Sequence, residues 1–218
     1  MRSTFLIILA LSMGVLVFLV DRAKRRAADP AELAAGWLRE PEEHKVTPEM
    51  VAGTEALVAT EARGFAMLAS DGKTYDFDQL VAEKPIVLLF IKEDCPCSVE
   101  AQPYFNSLAA LHGDRVGFLG VIDGGEAVAR EWARRRKATF PLLCDPELRT
   151  VKDYRASNSV YVALVSKGGK LEAYWPGFSA PMLEDLNRRL AAATGVEPRP
   201  IDTTDAPAEM VSGCPYPE

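Results

Sequence analysis

The amino-acid sequence predicts an α/β fold, a mixed central sheet with helices on both faces. Three observations predict it. Residues 86–91 and 116–122 are apolar, β-branched-rich runs with no polar alternation, the pattern of strands covered on both faces. Each is followed by a helical pattern, over about 98–112 and about 124–138. Two later runs, 160–165 and 171–175, flank Lys167-Gly168-Gly169-Lys170 and read as a hairpin.

Taken in order, residues 5–20 are apolar apart from Ser12 and Gly14, with Arg2 before them and Asp21, Arg22, Lys24, Arg25 and Arg26 after them. The run is slightly shorter than the roughly 17–25 residues of a spanning helix, and flanking residues complete it. No small-x-small cleavage site follows cleanly, so residues 1–26 read as an uncleaved single-pass anchor rather than a signal. An extracytoplasmic globular part is expected, although the flanking charges argue for the other side. Residues 27–63 read as a helical spacer, with Asp29 before Pro30 and Thr47 before Pro48 as N-caps. His44, in this spacer, reads as a surface histidine.

The folded domain is expected over residues 64–194. Asp71-Gly72 lies between Phe65, Met67, Leu68 and Thr74-Tyr75-Asp76-Phe77, a hairpin signal. Residues 78–81 suggest a short helical turn. In the helix after the second strand Val128 and Trp132 share a face. The basic run Arg134-Arg135-Arg136-Lys137 reads as a solvated face at a helix C-terminus. Phe140-Pro141-Leu142-Leu143-Cys144 reads as a short strand ended by Asp145-Pro146, with a short helix over 147–154 and a closing helix over 181–193. Residues 195–218 read as a flexible tether carrying Cys214.

A chain of 218 residues suffices for one well-buried domain with accessory segments. A net charge of −6 argues against nucleic acid as the main partner. Four cysteines are too few for a disulfide scaffold, so their placement matters more than their number. Cys95 follows the first buried strand and precedes a helical pattern. There the positive end of the helix dipole stabilises a thiolate. Lys92 adds positive charge, while Glu93 and Asp94 act against it.

From about Gly64 to Ala193 the chain resembles the thioredoxin-fold redoxins. This group includes the alkyl hydroperoxide reductase/thiol-specific antioxidant family and membrane-anchored thiol–disulfide oxidoreductases. The likeness rests on Asp71-Gly72-Lys73, the buried strand into Cys95, Phe140-Pro141-Leu142-Leu143-x-Asp145-Pro146, and the Gly169-Lys170 hairpin. Pro103 stands eight residues after Cys95, where the family has a helix-bending proline. The resemblance implies a thioredoxin-like fold, and the apolar run at residues 5–20 places a membrane helix before it. It also implies an antioxidant or cell-redox enzyme whose partners are a disulfide or peroxide and a thiol reductant, with no cofactor.

The departures are equally specific. Ser98 holds the place of the second C-x-x-C cysteine. The cis-proline that shapes the family's substrate groove should fall near Val160, in Ser157-Asn158-Ser159-Val160-Tyr161. Lys92 and Asp94, three residues before Cys95 and Cys97, are not the hydroxyl residues of a peroxidatic site.

Cys95 is therefore expected as the nucleophile, or else as an inert turn residue in a degenerate fold. Cys97 is a partner in a strained C-x-C disulfide, the reactive thiol itself, or a small buried residue. Cys214 is a tethered resolving thiol or incidental to the tail. Ser98 is expected to hydrogen-bond the thiolate, Pro96 to stiffen the turn, and Pro103 to bend the helix. Cys144 reads as a core residue. The rival readings are a binding module without catalysis and a copper-binding protein using Cys95 and Cys97, for which His112 is the only histidine in the domain.

Overall fold

The computed structural model describes residues 44–217. The expected anchor over residues 1–26, and the spacer up to residue 43, lie outside the described residues. Among the described residues no helix is long and apolar enough to cross a membrane.

Helix α1 (Pro48–Glu55) opens the described chain, capped as expected by the Thr47 hydroxyl, which accepts the Met50 amide at 3.3 Å. Strands β1 (Ala66–Leu68) and β2 (Thr74–Asp76) form the Asp71-Gly72 hairpin. Gly72 has φ +80°, which that turn requires. Helix α2 (Phe77–Glu83) follows at once, with Asp76 as its N-cap.

The main sheet holds β3 (Ile86–Ile91), β4 (Gly117–Ile122), β5 (Leu142–Cys144), β6 (Val162–Val165) and β7 (Leu171–Trp175). Their order is β5-β4-β3-β6-β7. Strand β3 pairs parallel with β4 and antiparallel with β6, so it is the central strand, and all six of its residues are buried. Its side chains alternate between faces. Ile86, Leu88 and Phe90 join a core with Phe77 and Val81 of α2 and with Val151 and Tyr154. Val87, Leu89 and Ile91 point the other way. Helices α3 (Pro96–His112), α4 (Glu126–Arg136) and α6 (Ala180–Thr194) each bury an apolar face of their own. These three helices are tied together. Trp132 Nε1 donates to Gln102 Oε1 at 3.4 Å, and His112 Nε2 bonds Asn187 Oδ1 at 2.8 Å.

Several boundaries are shorter than the sequence suggests. Strand β6 begins at Val162 because Val160 has a left-handed backbone, φ +63°. The helix expected over 147–154 is reduced to α5 (Arg149–Asp153). Its first amides are taken by the buried Asp145 carboxylate, which accepts from Arg149 and Val151 at 2.8 and 3.0 Å. This capping is the structural use of the Asp-Pro segment. Cys144 is half-buried at the end of β5, not enclosed in the core as expected.

Two peripheral segments pack on this body, and only the second departs from expectation. The spacer between residues 44 and 63 packs on the domain, with Met50, Leu57 and Val58 against the core and the Tyr154 hydroxyl donating to Arg63 O at 2.9 Å. The expected flexible tether is instead docked. Val211 and Phe178 exchange both backbone hydrogen bonds, at 3.0 and 2.9 Å. Gly213 and Ser159 are joined by a 2.9 Å bond, Ser159 donates to Cys214 O at 3.0 Å, and Tyr216 donates to Ser157 O at 3.0 Å. The Tyr216 side chain is buried in the core.

Candidate active site

Strand β3 ends at Ile91, and the loop 92–95 carries the chain into α3. Cys95 is the N-cap of that helix and Pro96 its first residue. The Cys95 amide donates to Lys92 O at 3.1 Å, and its carbonyl accepts the Val99 amide at 3.3 Å. The sulfur is thereby fixed at the end of the buried strand, beside the free amides of the first helical turn. Helix α3 continues unbroken through Pro103.

Ser98 has another partner than expected. Its buried hydroxyl accepts the Lys92 amide at 3.2 Å and so closes the loop from strand to helix.

The thiolate is stabilised chiefly by its neighbours. The Cys95 pKa is lowered to about 4, first by the hydrogen bond from the Cys97 thiol. Burial opposes this, while the Cys214 thiol and the Cys214 amide add to it. That amide lies 3.1 Å from the Cys95 sulfur. The two donors shift upward in return. Cys97 is raised by its bond to Cys95, by burial, and by the charges of Cys95, Cys214 and Glu100. Cys214 is pushed up to about 12 by burial and by Cys95, with Lys92 acting the other way. Of the flanking charges weighed in the sequence, Lys92 acts on Cys214, which it lowers. None of the four cysteines is joined in a disulfide.

The site draws on segments far apart in sequence. Cys214 is delivered by the docked tail. Gly213 permits the approach, since a Cβ there would stand 2.0 Å from Ser159 Oγ and 2.8 Å from Ser159 O. Val160, at the place expected for a proline, is fully buried and donates to Phe90 O at 2.6 Å. The described residues contain no cis peptide bond.

His44 is not the surface residue expected from the sequence. It is half-buried, and its Nδ1 lies 3.3 Å from Cys97 Sγ. No local pattern could have found this contact, which joins residues 53 apart. His112 is buried at the far end of α3, about 25 Å along the helix from Cys95. Among the described residues no group of three or more His, Cys, Asp or Glu has an arrangement that holds a metal ion.

A model of the AhpC/TSA family matches residues 58–174, more than half of the chain. The chain belongs to the AhpC/TSA family. Its chemistry is that of a thiol–disulfide oxidoreductase or peroxiredoxin-like enzyme. No curated protein matches it. Solved structures share its thioredoxin-like fold. MTB DsbF, seen in mixed oxidized and reduced forms, is 26% identical with a TM-score of 0.52, over 60% of this chain and 95% of that one. A secreted Mycobacterium tuberculosis disulfide oxidoreductase homologous to E. coli DsbE is 22% identical with a TM-score of 0.51, over 59% and 95%. The bacterioferritin comigratory protein of Xanthomonas campestris, described for alkyl peroxide reduction, is 17% identical with a TM-score of 0.50, over 60% and 90%. His44 and Cys214 both lie outside the span matched by the family.

Proposed function

We propose that this AhpC/TSA member is a thiol–disulfide exchange enzyme with Cys95 as nucleophile, tethered to a membrane by residues 5–20. One observation carries the choice of disulfide over peroxide. The Cys95 sulfur is met by an extended segment of the tail, paired through its backbone to residues 157–159, that presents a cysteine to it. A site that holds a cysteine-bearing strand in this way is shaped for polypeptide thiols and disulfides. The absence of a hydroxyl residue three positions before Cys95 agrees with that reading.

In the first step the Cys95 thiolate attacks one sulfur of a substrate disulfide. A mixed disulfide forms, and the other sulfur leaves as a thiolate that takes a proton from water. A second thiol, Cys97 or Cys214, then attacks Cys95, forms an internal disulfide and expels the bound sulfur. The substrate gains two electrons, which an external dithiol later restores to the enzyme. Helix α3 and the loop closed by Ser98 hold the sulfur in place throughout.

Peptide mapping without reductant, after acid quench and thiol blocking, tests this. Treatment with a small disulfide should yield a Cys95 link to Cys97 or Cys214, and Cys95→Ser should abolish reduction of that disulfide. Full activity of Cys95→Ser overturns the assignment. Peroxide consumption that exceeds disulfide reduction overturns the choice of substrate class.

A further inference from the structure

The Cys97–His44 contact is not used in the steps above. A resolving thiol must lose its proton before it attacks, since the thiolate is the nucleophile. Cys97 is held protonated in the resting enzyme by the Cys95 thiolate, to which it donates. That restraint ends once Cys95 is bound in a neutral mixed disulfide. Its proton then needs an acceptor. His44 Nδ1, 3.3 Å from Cys97 Sγ, is within reach of it and accepts it in the tautomer that carries its proton on Nε2.

The backbone shows how His44 is placed. The Ser212 amide donates to His44 O at 2.7 Å, and Lys45 bridges to Val211 in antiparallel pairing. The strand that brings Cys214 to Cys95 thus also clips the segment that brings His44 to Cys97. Val211 is held in turn against Phe178, and a Cβ on Gly177 would stand 2.2 Å from Val211 O. Both attachments run through the backbone, so the imidazole can be changed without removing them.

We propose that His44 is the general base of the resolving step and that Cys97 is the thiol it activates. This rests on the thiol–disulfide reading of the site. As the mixed disulfide forms on Cys95, His44 takes the proton from Cys97. The Cys97 sulfur donates an electron pair to Cys95 Sγ and forms the Cys95–Cys97 bond. The bond from Cys95 to the substrate sulfur breaks, and the substrate leaves as a thiolate that is protonated by imidazolium or water. Cys95 and Cys97 are together oxidised by two electrons, and the substrate disulfide is reduced by two.

The test uses the full-length chain with Cys144→Ser and Cys214→Ser, so that Cys95 and Cys97 are the only thiols. A chromogenic aryl disulfide releases one aryl thiolate on attack by Cys95 and a second on resolution by Cys97. Both His44→Gln and His44→Ala should leave the first release unchanged and slow the second by about 100-fold. Added imidazole should restore the second release in His44→Ala and not in His44→Gln. A second release unaffected by either variant, or slowed but not restored by imidazole, overturns the role of His44. Absence of a first release that depends on Cys95 overturns the underlying reading of the site instead.

Discussion

At the scale of single residues, the ionisation of Cys95 has a measurable consequence. Its pKa falls from 9.0 to about 4 because the Cys97 thiol and then the tail donate to the thiolate. The rate of alkylation should therefore be nearly level from pH 8 down to about pH 5 and fall as the sulfur is protonated near pH 4. The same shift is linked to stability. A pKa depressed in the folded state contributes stability that is complete above about pH 9 and is lost as pH falls through about 4. Cys95→Ser should be less stable than the parent at pH 8, and the gap should narrow on acidification. A gap that widens toward pH 5 would show that the thiolate is not the favoured form. Val160 supplies a second prediction. The family's proline cannot occupy this conformation, since proline requires φ near −65° and Val160 is at +63°. Val160→Pro would also remove the amide that donates to Phe90 O. A loss of about 3 kcal/mol or more is expected in urea denaturation.

At the scale of elements, the docked strand depends on close approach. Gly213→Ala places a methyl group where the Ser159 hydroxyl and carbonyl already stand. The strand must shift outward, and the Cys214 amide then leaves the Cys95 sulfur. The variant should raise the pKa of Cys95, speed its alkylation at pH 8 through greater access, and leave the far-ultraviolet spectrum of the body intact. An unchanged alkylation rate would mean that the tail does not cover the site. The same element marks the limit of what the sequence discloses. Strands β3 and β4 are legible because continuous apolar β-branched residues have few alternatives. Cys95 is legible because it follows such a strand and opens a helix. The docking of the tail is not legible. Its pairing partners, Phe178 and residues 157–159, are irregular segments without periodicity. Its visible marks, Gly213 and the aromatic Tyr216, are ordinary features of a loop. His44 is hidden for the same reason, because a contact over 53 residues leaves no local signal.

At the scale of the whole molecule, both ends of the described chain meet over the N-terminus of α3. The segment at His44 and the strand at Val211–Tyr216 are paired with each other and laid across the site. This closure is weaker than its list of contacts suggests. The hydroxyls of Ser212 and Tyr216 are buried without hydrogen-bond partners. Each such group costs about 1–3 kcal/mol and takes back part of the roughly 0.5–1.5 kcal/mol gained per backbone bond. Burial of Tyr216 returns about 1.5–3 kcal/mol, leaving a docked strand of modest net stability. By contrast, β3 is paired on both sides and enclosed by both cores. The strand should therefore open separately from the body, as low-stability units at functional sites do. Native-state hydrogen exchange measures this directly. The amides of Val211, Ser212 and Gly213 should exchange through an opening several kcal/mol below that of β3. The amide of Val160 should follow the body, because it is bonded to Phe90 O. Tail amides that exchange only with global unfolding would make the strand a fixed part of the wall, and a polypeptide substrate could not replace it. Exchange by separate opening would give the Cys95 groove two occupants, the chain's own cysteine strand and that of a client, competing for the same backbone partners.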